Sequence, residues 1–177
     1  MNYKFISFLI PIWFLSSCGE NKKAPPPTLV DKIKTAESKL DVTKPLNKSN
    51  LELLIGLYTK FADSLPNNPK SQMYLVKTAD FYGALNMQQQ KCELYKSILA
   101  KYPSSKDADM ITYLLASAYD SDLNNRVEAK KYYNLFIEKF PNSPYINDAK
   151  SRLTTIDSLS FNQLQDMIIH NELQKSE

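Results

Sequence analysis

Glycine is almost missing, with Gly19, Gly56 and Gly83 the only three in 177 residues. Strand-and-turn folds draw on glycine at their tight turns. Its scarcity beside 11 Tyr and 8 Phe predicts an all-α protein of helices, short turns and large aromatic contacts. Three scattered glycines also make no phosphate-cradling loop. There is one histidine, His170, and with Cys18 set aside Cys92 is the one remaining thiol. That pair cannot build a typical zinc site, and one thiol forms no internal disulfide. No metal and no cofactor is expected. Long apolar runs are missing too. The run from Phe5 to Leu15 is 11 residues and contains Pro11, whereas a membrane-spanning helix takes roughly 20. Charge of one sign is also scarce: 22 basic against 19 acidic side chains do not make the clustered basic surface that nucleic acid requires.

What is present begins with an ordered N-terminus. Lys4 precedes the apolar run, which ends in Leu15-Ser16-Ser17-Cys18, the order of a secretion signal with its cleavage site. Those four residues resemble the lipobox of bacterial lipoproteins, in which the cysteine thiol is lipidated and the chain is cut ahead of it. The resemblance implies a signal peptide over residues 1–17, a lipidated Cys18 as mature N-terminus, and an envelope location. Gly19 is compatible with sorting to the outer membrane, since an aspartate after the cysteine is the usual retention signal in such lipoproteins. Cleavage would remove Lys4 from the 22 basic residues and none of the 19 acidic ones, leaving a net charge of +2. Residues 18–28, with Lys22, Lys23 and Pro25-Pro26-Pro27, favour extended structure and read as a tether. Residues 29–177 are left as one domain.

Set against itself, that domain shows an internal repeat. Leu57-Tyr58-x-x-Phe61 leads to Leu65-Pro66, Leu94-Tyr95-x-x-Ile98 to Tyr102-Pro103, and Tyr132-Tyr133-x-x-Phe136 to Phe140-Pro141. The prolines are 37 and 38 residues apart (66 to 103, 103 to 141). Eight, 12 and 15 residues beyond each proline stand Tyr74, Thr78, Phe81, then Ile111, Leu115, Ala118, then Ala149, Leu153, Ile156. Apolar spacings of three and four define one helix face, so each unit predicts two helices closed by its proline. Short helices are marginal alone and must stack, which makes the fold an α-solenoid of antiparallel helix pairs.

Leu115-Ala116-x-x-Tyr119 with Ala129, Tyr133, Phe136 and Pro141, and Thr78-Ala79-x-x-Tyr82 with Tyr95, Ile98 and Pro103, resemble the tetratricopeptide repeat family. Ala79, Ala116 and Ala129 would sit where paired helices approach closely. Lys91 departs from the pattern at a small-residue position. The period exceeds the family's by three or four residues, an excess assigned to Pro103-Ser104-Ser105-Lys106 and Pro141-Asn142-Ser143-Pro144. That spacing looks like the repeats of outer-membrane assembly lipoproteins of the BamD type. The clearest repeats cover residues 50–160. An amphipathic stretch from Leu29 to Leu40 precedes them, Asp157, Asp166 and His170 break the apolar register after them, and a capping helix over 161–175 starts at a Ser160-x-x-Gln163 box.

No catalytic constellation emerges. Cys92 and His170 would lie two repeats apart, so Cys92 reads as a core or boundary cysteine. Asp80, Asp107, Asp109 and Asp120 read as solvated helix-surface groups. The resemblance implies a concave face built from the first helix of each pair, which places Met73, Val76 and Asp80 beside Met110, Tyr113, Ser117 and Asp120 as a partner-binding groove. The expected function is a non-enzymatic, membrane-anchored scaffold for other envelope proteins or peptides, extending to outer-membrane protein assembly. A cell-wall-acting enzyme subunit and a purely structural periplasmic spacer stay open as alternatives.

Overall fold

The computed structural model of the protein describes residues 26–40, 47–158 and 165. Residues 1–17, Cys18, the Ser160-x-x-Gln163 box, Asp166, His170 and all of 161–175 but Gln165 lie outside the described residues. The elements are α1 (Leu29–Glu37), α2 (Lys48–Ser64), α3 (Pro69–Ala84), α4 (Gln88–Lys101), α5 (Ala108–Ser117), a π-helical turn (Ala118–Asp122) and α6 (Arg126–Lys139). A seventh helix, α7, occupies 146–158. Every described element is helical, and consecutive helices pack as neighbours, α2 on α3, α3 on α4, α4 on α5 and α5 on α6. The molecule is the stacked array of helix pairs that the repeat predicts. Among the described residues no helix is long and apolar enough to cross a membrane.

The helix ends follow from local chemistry. Thr28 and Asp31 form a capping box on α1, Asn47 caps α2, and Asn68 caps α3, whose first residue is Pro69. The second helices close alike: Leu65, Tyr102 and Phe140 have φ/ψ of −135/59, −128/60 and −129/55, each donating its amide one turn back. Each is followed by proline, which drives the preceding residue out of the helical region. Ser105 and Ser143, two residues beyond Pro103 and Pro141, then join adjacent units. Ser105 Oγ accepts from Gln72 at 2.5 Å, and Ser143 Oγ donates to Asp109 at 2.8 Å.

The core lies between the pairs. Tyr74, Thr78, Ile111, Leu115, Ala118, Ala149 and Ile156 are buried, and Phe81 and Leu153 pack against the core, so both halves of the register face inward. Ala79, Ala116 and Ala129 are fully enclosed. Lys91, which takes the place of such an alanine, runs past Gly83. A Cβ at Gly83 would meet its Cδ at 3.4 Å, and Lys91 Nζ reaches Asp122 at 2.9 Å.

The two repeat lengths differ by one residue, and the structure shows where it goes. Ala79 and Tyr82 map to Ala116 and Tyr119 at an offset of 37, whereas Asn86 and Lys91 map to Asn124 and Ala129 at 38. The extra residue falls in the π-helical turn, where the Leu123 amide donates to the Ala118 carbonyl five residues back at 3.0 Å. A π-turn is how an α-helix absorbs a single insertion. This residue of the excess therefore lies in the first helix and not at the Pro141 junction. The turns that follow converge again, because Asn86 and Asn124 both adopt left-handed backbone (φ 58 and 47), which asparagine tolerates better than most residues.

Gly56 sits mid-helix in α2 with open space around its missing Cβ. Gly56→Ala is expected to stabilise the protein by about 0.5–1 kcal/mol through helix propensity and unfolded-state entropy, read as a raised midpoint in urea.

Candidate functional site

The first helices α3 and α5 carry six of the seven groove residues expected from the sequence, and Asp120 lies in the π-helical turn that continues α5. Met73 is 43% exposed, and Asp80 is exposed too. Val76 and Met110 are half-buried and packed on the core. Tyr113 is half-buried as well. It stacks on Tyr145 at 4.9 Å, meets Phe136 edge-on at 5.8 Å, and donates its hydroxyl to Asp148 of α7. Burial, then that hydrogen bond, pushes its pKa up to about 12. Tyr113 thus fastens α5 to the α6–α7 end of the stack.

Beneath this face lies a feature the sequence reading missed. Tyr58, Tyr95 and Tyr133 hold one register position in α2, α4 and α6, and each is at most 1% exposed. Tyr58 donates to Glu37 of α1 at 2.6 Å, and Lys77 of α3 joins the same carboxylate at 3.1 Å. Burial alone would raise the Glu37 pKa, but the bonds from Tyr58 and Lys77 outweigh it and hold the carboxyl below its usual range. Tyr95 donates to Asp80 at 3.2 Å. The Tyr133 hydroxyl lies beside Ser117 and in the field of Asp120, yet it is buried without a hydrogen bond of normal geometry among the described residues. Asp120 in turn faces Arg152 of α7 at 3.8 Å, and Arg152 also reaches Asp148 at 3.5 Å.

Asp80, Asp109 and Asp120 therefore have specific partners and are not simply solvated, as the sequence reading had them. Asp107, at the start of α5, makes no side-chain cap. Asp157, out of the apolar register, is exposed and pairs with Lys130 at 2.7 Å.

Residues 74–105 and 112–143 match the tetratricopeptide repeat family. They carry two tetratricopeptide repeats. No curated protein matches the chain. Tetratricopeptide repeats are typically non-catalytic scaffolds for protein partners, and of the expected groove residues Val76, Asp80, Tyr113, Ser117 and Asp120 lie within the two matched stretches, with Met73 and Met110 just ahead of them. The structure divides that set. Asp80 lines an open cleft of about 440 Å³ with Glu37, Leu40, Tyr58, Lys77 and Phe81, whereas Tyr113, Ser117 and Asp120 gather around Tyr133 and Arg152.

Among the described residues no group of histidine, cysteine or carboxylate side chains could hold a metal ion. Cys92 is fully buried, and burial pushes its thiol up to about 11. The thiolate is the reactive form. In a Cys18→Ser chain, where Cys92 is the sole thiol, a disulfide reagent near neutral pH is expected to label it only as fast as the protein opens, and promptly in denaturant.

Proposed function

We propose that this protein is a lipid-anchored adaptor of the cell envelope, held by Cys18 at the outer membrane on its periplasmic side, which binds other envelope proteins or peptides and serves outer-membrane protein assembly. The reading rests on one juxtaposition: Leu15-Ser16-Ser17-Cys18 stands ahead of a stack of interaction repeats, with a proline-containing tether between them. A lipid chain contributes about 0.8 kcal/mol per buried methylene, and two or more chains hold a protein stably. A scaffold so held searches a thin layer beside the membrane, where the effective concentration of a membrane-bound partner is high.

The test is acylation in bacterial cells fed an alkyne-bearing palmitate. The wild-type chain is expected to take the label and sediment with outer membranes, and Cys18→Ser to do neither. Label retained on the Cys18→Ser chain, or none on the wild type, would overturn the anchor.

A further inference from the structure

The tyrosine ladder has a gap. In the first unit Lys77 answers the acceptor Glu37, and in the third Arg152 answers Asp120. Lys77 and Arg152 stand at one register position, and between them that position is Leu114 (77, 114, 152). Asp80, the acceptor of the middle unit, takes the Tyr95 hydrogen bond and has no ion pair among the described residues. The cation whose field reaches it, Lys91, is committed to Asp122 at 2.9 Å.

Asp80 lines the cleft between the end of α1 and α3, together with Glu37, Leu40, Tyr58, Lys77 and Phe81. Glu37 and Lys77 neutralise one another, and Lys77 Nζ is further pinned over the Tyr58 ring at 5.6 Å. One negative charge is left. We propose that this cleft receives a lysine or arginine side chain of a partner protein, with Asp80 as its counter-charge.

Volume, lining and charge agree on that occupant. Leu40 and Phe81 offer apolar surface to the aliphatic shaft of a long basic side chain, and the half-buried Phe81 ring suits a cationic head. An acidic residue would set a second negative charge beside Asp80. An apolar one would cover the carboxylate without compensation, which is unfavourable. The residue is exposed as a whole, but its carboxyl group lies against the cleft, where desolvation lifts its pKa above the usual range against the opposing pull of Tyr95 and Lys91. A cation would relieve that desolvation.

This deepens the scaffold reading and is independent of the anchor. The experiment therefore uses the full chain carrying Cys18→Ser, without lipid, so failed peptide binding leaves acylation standing and failed acylation leaves peptide binding standing. The probe is a five-residue peptide with arginine between two leucines, compared with versions carrying citrulline or glutamate, and the readout is backbone amide shifts by NMR. The arginine peptide is expected to move the amides of Leu40, Lys77, Asp80 and Phe81 with a Kd on the order of 1 mM. Asp80→Asn should weaken it roughly ten-fold or more, as loss of a charged partner does. Leu114→Lys, which restores the cation found in the other two units, should abolish it. Equal binding of the citrulline peptide, shifts confined to other residues, or indifference to Asp80→Asn would overturn the proposal. So would binding that appears only in Lys44→Gln, because the cleft would then be filled by this chain's own lysine.

Discussion

Raising the pH from 10 to 11 should destabilise this protein steeply, and the unfolding that follows at higher pH should be one cooperative step. Tyr58, Tyr95 and Tyr133 are enclosed in the core. Burial is the chief cause holding each phenol well above its ordinary value, reinforced by Glu37, Asp80 and Asp120 respectively. A phenol whose pKa rises on folding keeps its proton more tightly in the native state. Its contribution to stability is complete below the unfolded value of about 10 and is lost as the pH climbs toward the native value. Each such group forfeits about 1 kcal/mol over that unit, since the unfolded phenol is only half ionised at pH 10, so the three together forfeit about 3 kcal/mol. Domains of this size hold roughly 5–15 kcal/mol in all. Cys92, raised from 9.0 to about 11, adds a loss of the same sign. Circular dichroism and tyrosinate absorbance should change together. A smooth phenol titration centred near 10, finished before helicity falls, would mean that the three hydroxyls are not held as described.

Much of the fold was legible because its units repeat. Any apolar position common to Tyr74, Ile111 and Ala149, or to Phe61, Ile98 and Phe136, reports the same place in a helix pair, and the structure buries all six. The π-helical turn was less legible. One extra residue between Tyr119 and Asn124 shows in the sequence as a period of 38 in place of 37, and a count of prolines cannot say whether it lengthens a turn or bulges a helix. The hydrogen-bond pattern decides that.

The site was read half-way. Positions on α3 and α5 follow from the register, but what they touch depends on neighbours that belong to other units. Tyr113 read as a free groove residue, because nothing in the sequence of α5 announces that Tyr145 and Asp148 pack against it. The tyrosine ladder did leave a signal, Tyr58, Tyr95 and Tyr133 in one register. Its acceptors Glu37 and Asp80 stand 21 and 15 residues before their tyrosines, and with no common offset they escape a periodic search. The alternation of Lys77, Leu114 and Arg152 was equally visible, and it gains meaning only once those acceptors are known.

Those acceptors also separate what the ladder's rings do from what its hydroxyls do. Removing any of the three rings should be severe: Tyr58→Ala, Tyr95→Ala or Tyr133→Ala vacates a site at most 1% exposed, and aromatic-to-alanine changes in cores cost about 3–5 kcal/mol. Removing only the hydroxyl should give three different answers. Tyr58→Phe takes a donor from Glu37, whose remaining partner is Lys77; hydrogen bonds to charged groups contribute about 1.5–3 kcal/mol, and the one-third exposure of Glu37 puts this loss at the low end. Tyr95→Phe frees Asp80, which is exposed and can be hydrated, so about 1 kcal/mol is expected. Tyr133→Phe deletes a buried hydroxyl that, among the described residues, makes no hydrogen bond of normal geometry, and it should be neutral or slightly stabilising, since an unsatisfied polar group is itself a cost. Urea midpoints for the three phenylalanine variants should therefore fall in the order Tyr133→Phe, Tyr95→Phe, Tyr58→Phe from most to least stable. Equal losses at all three would show that Tyr133 has a partner as good as Glu37.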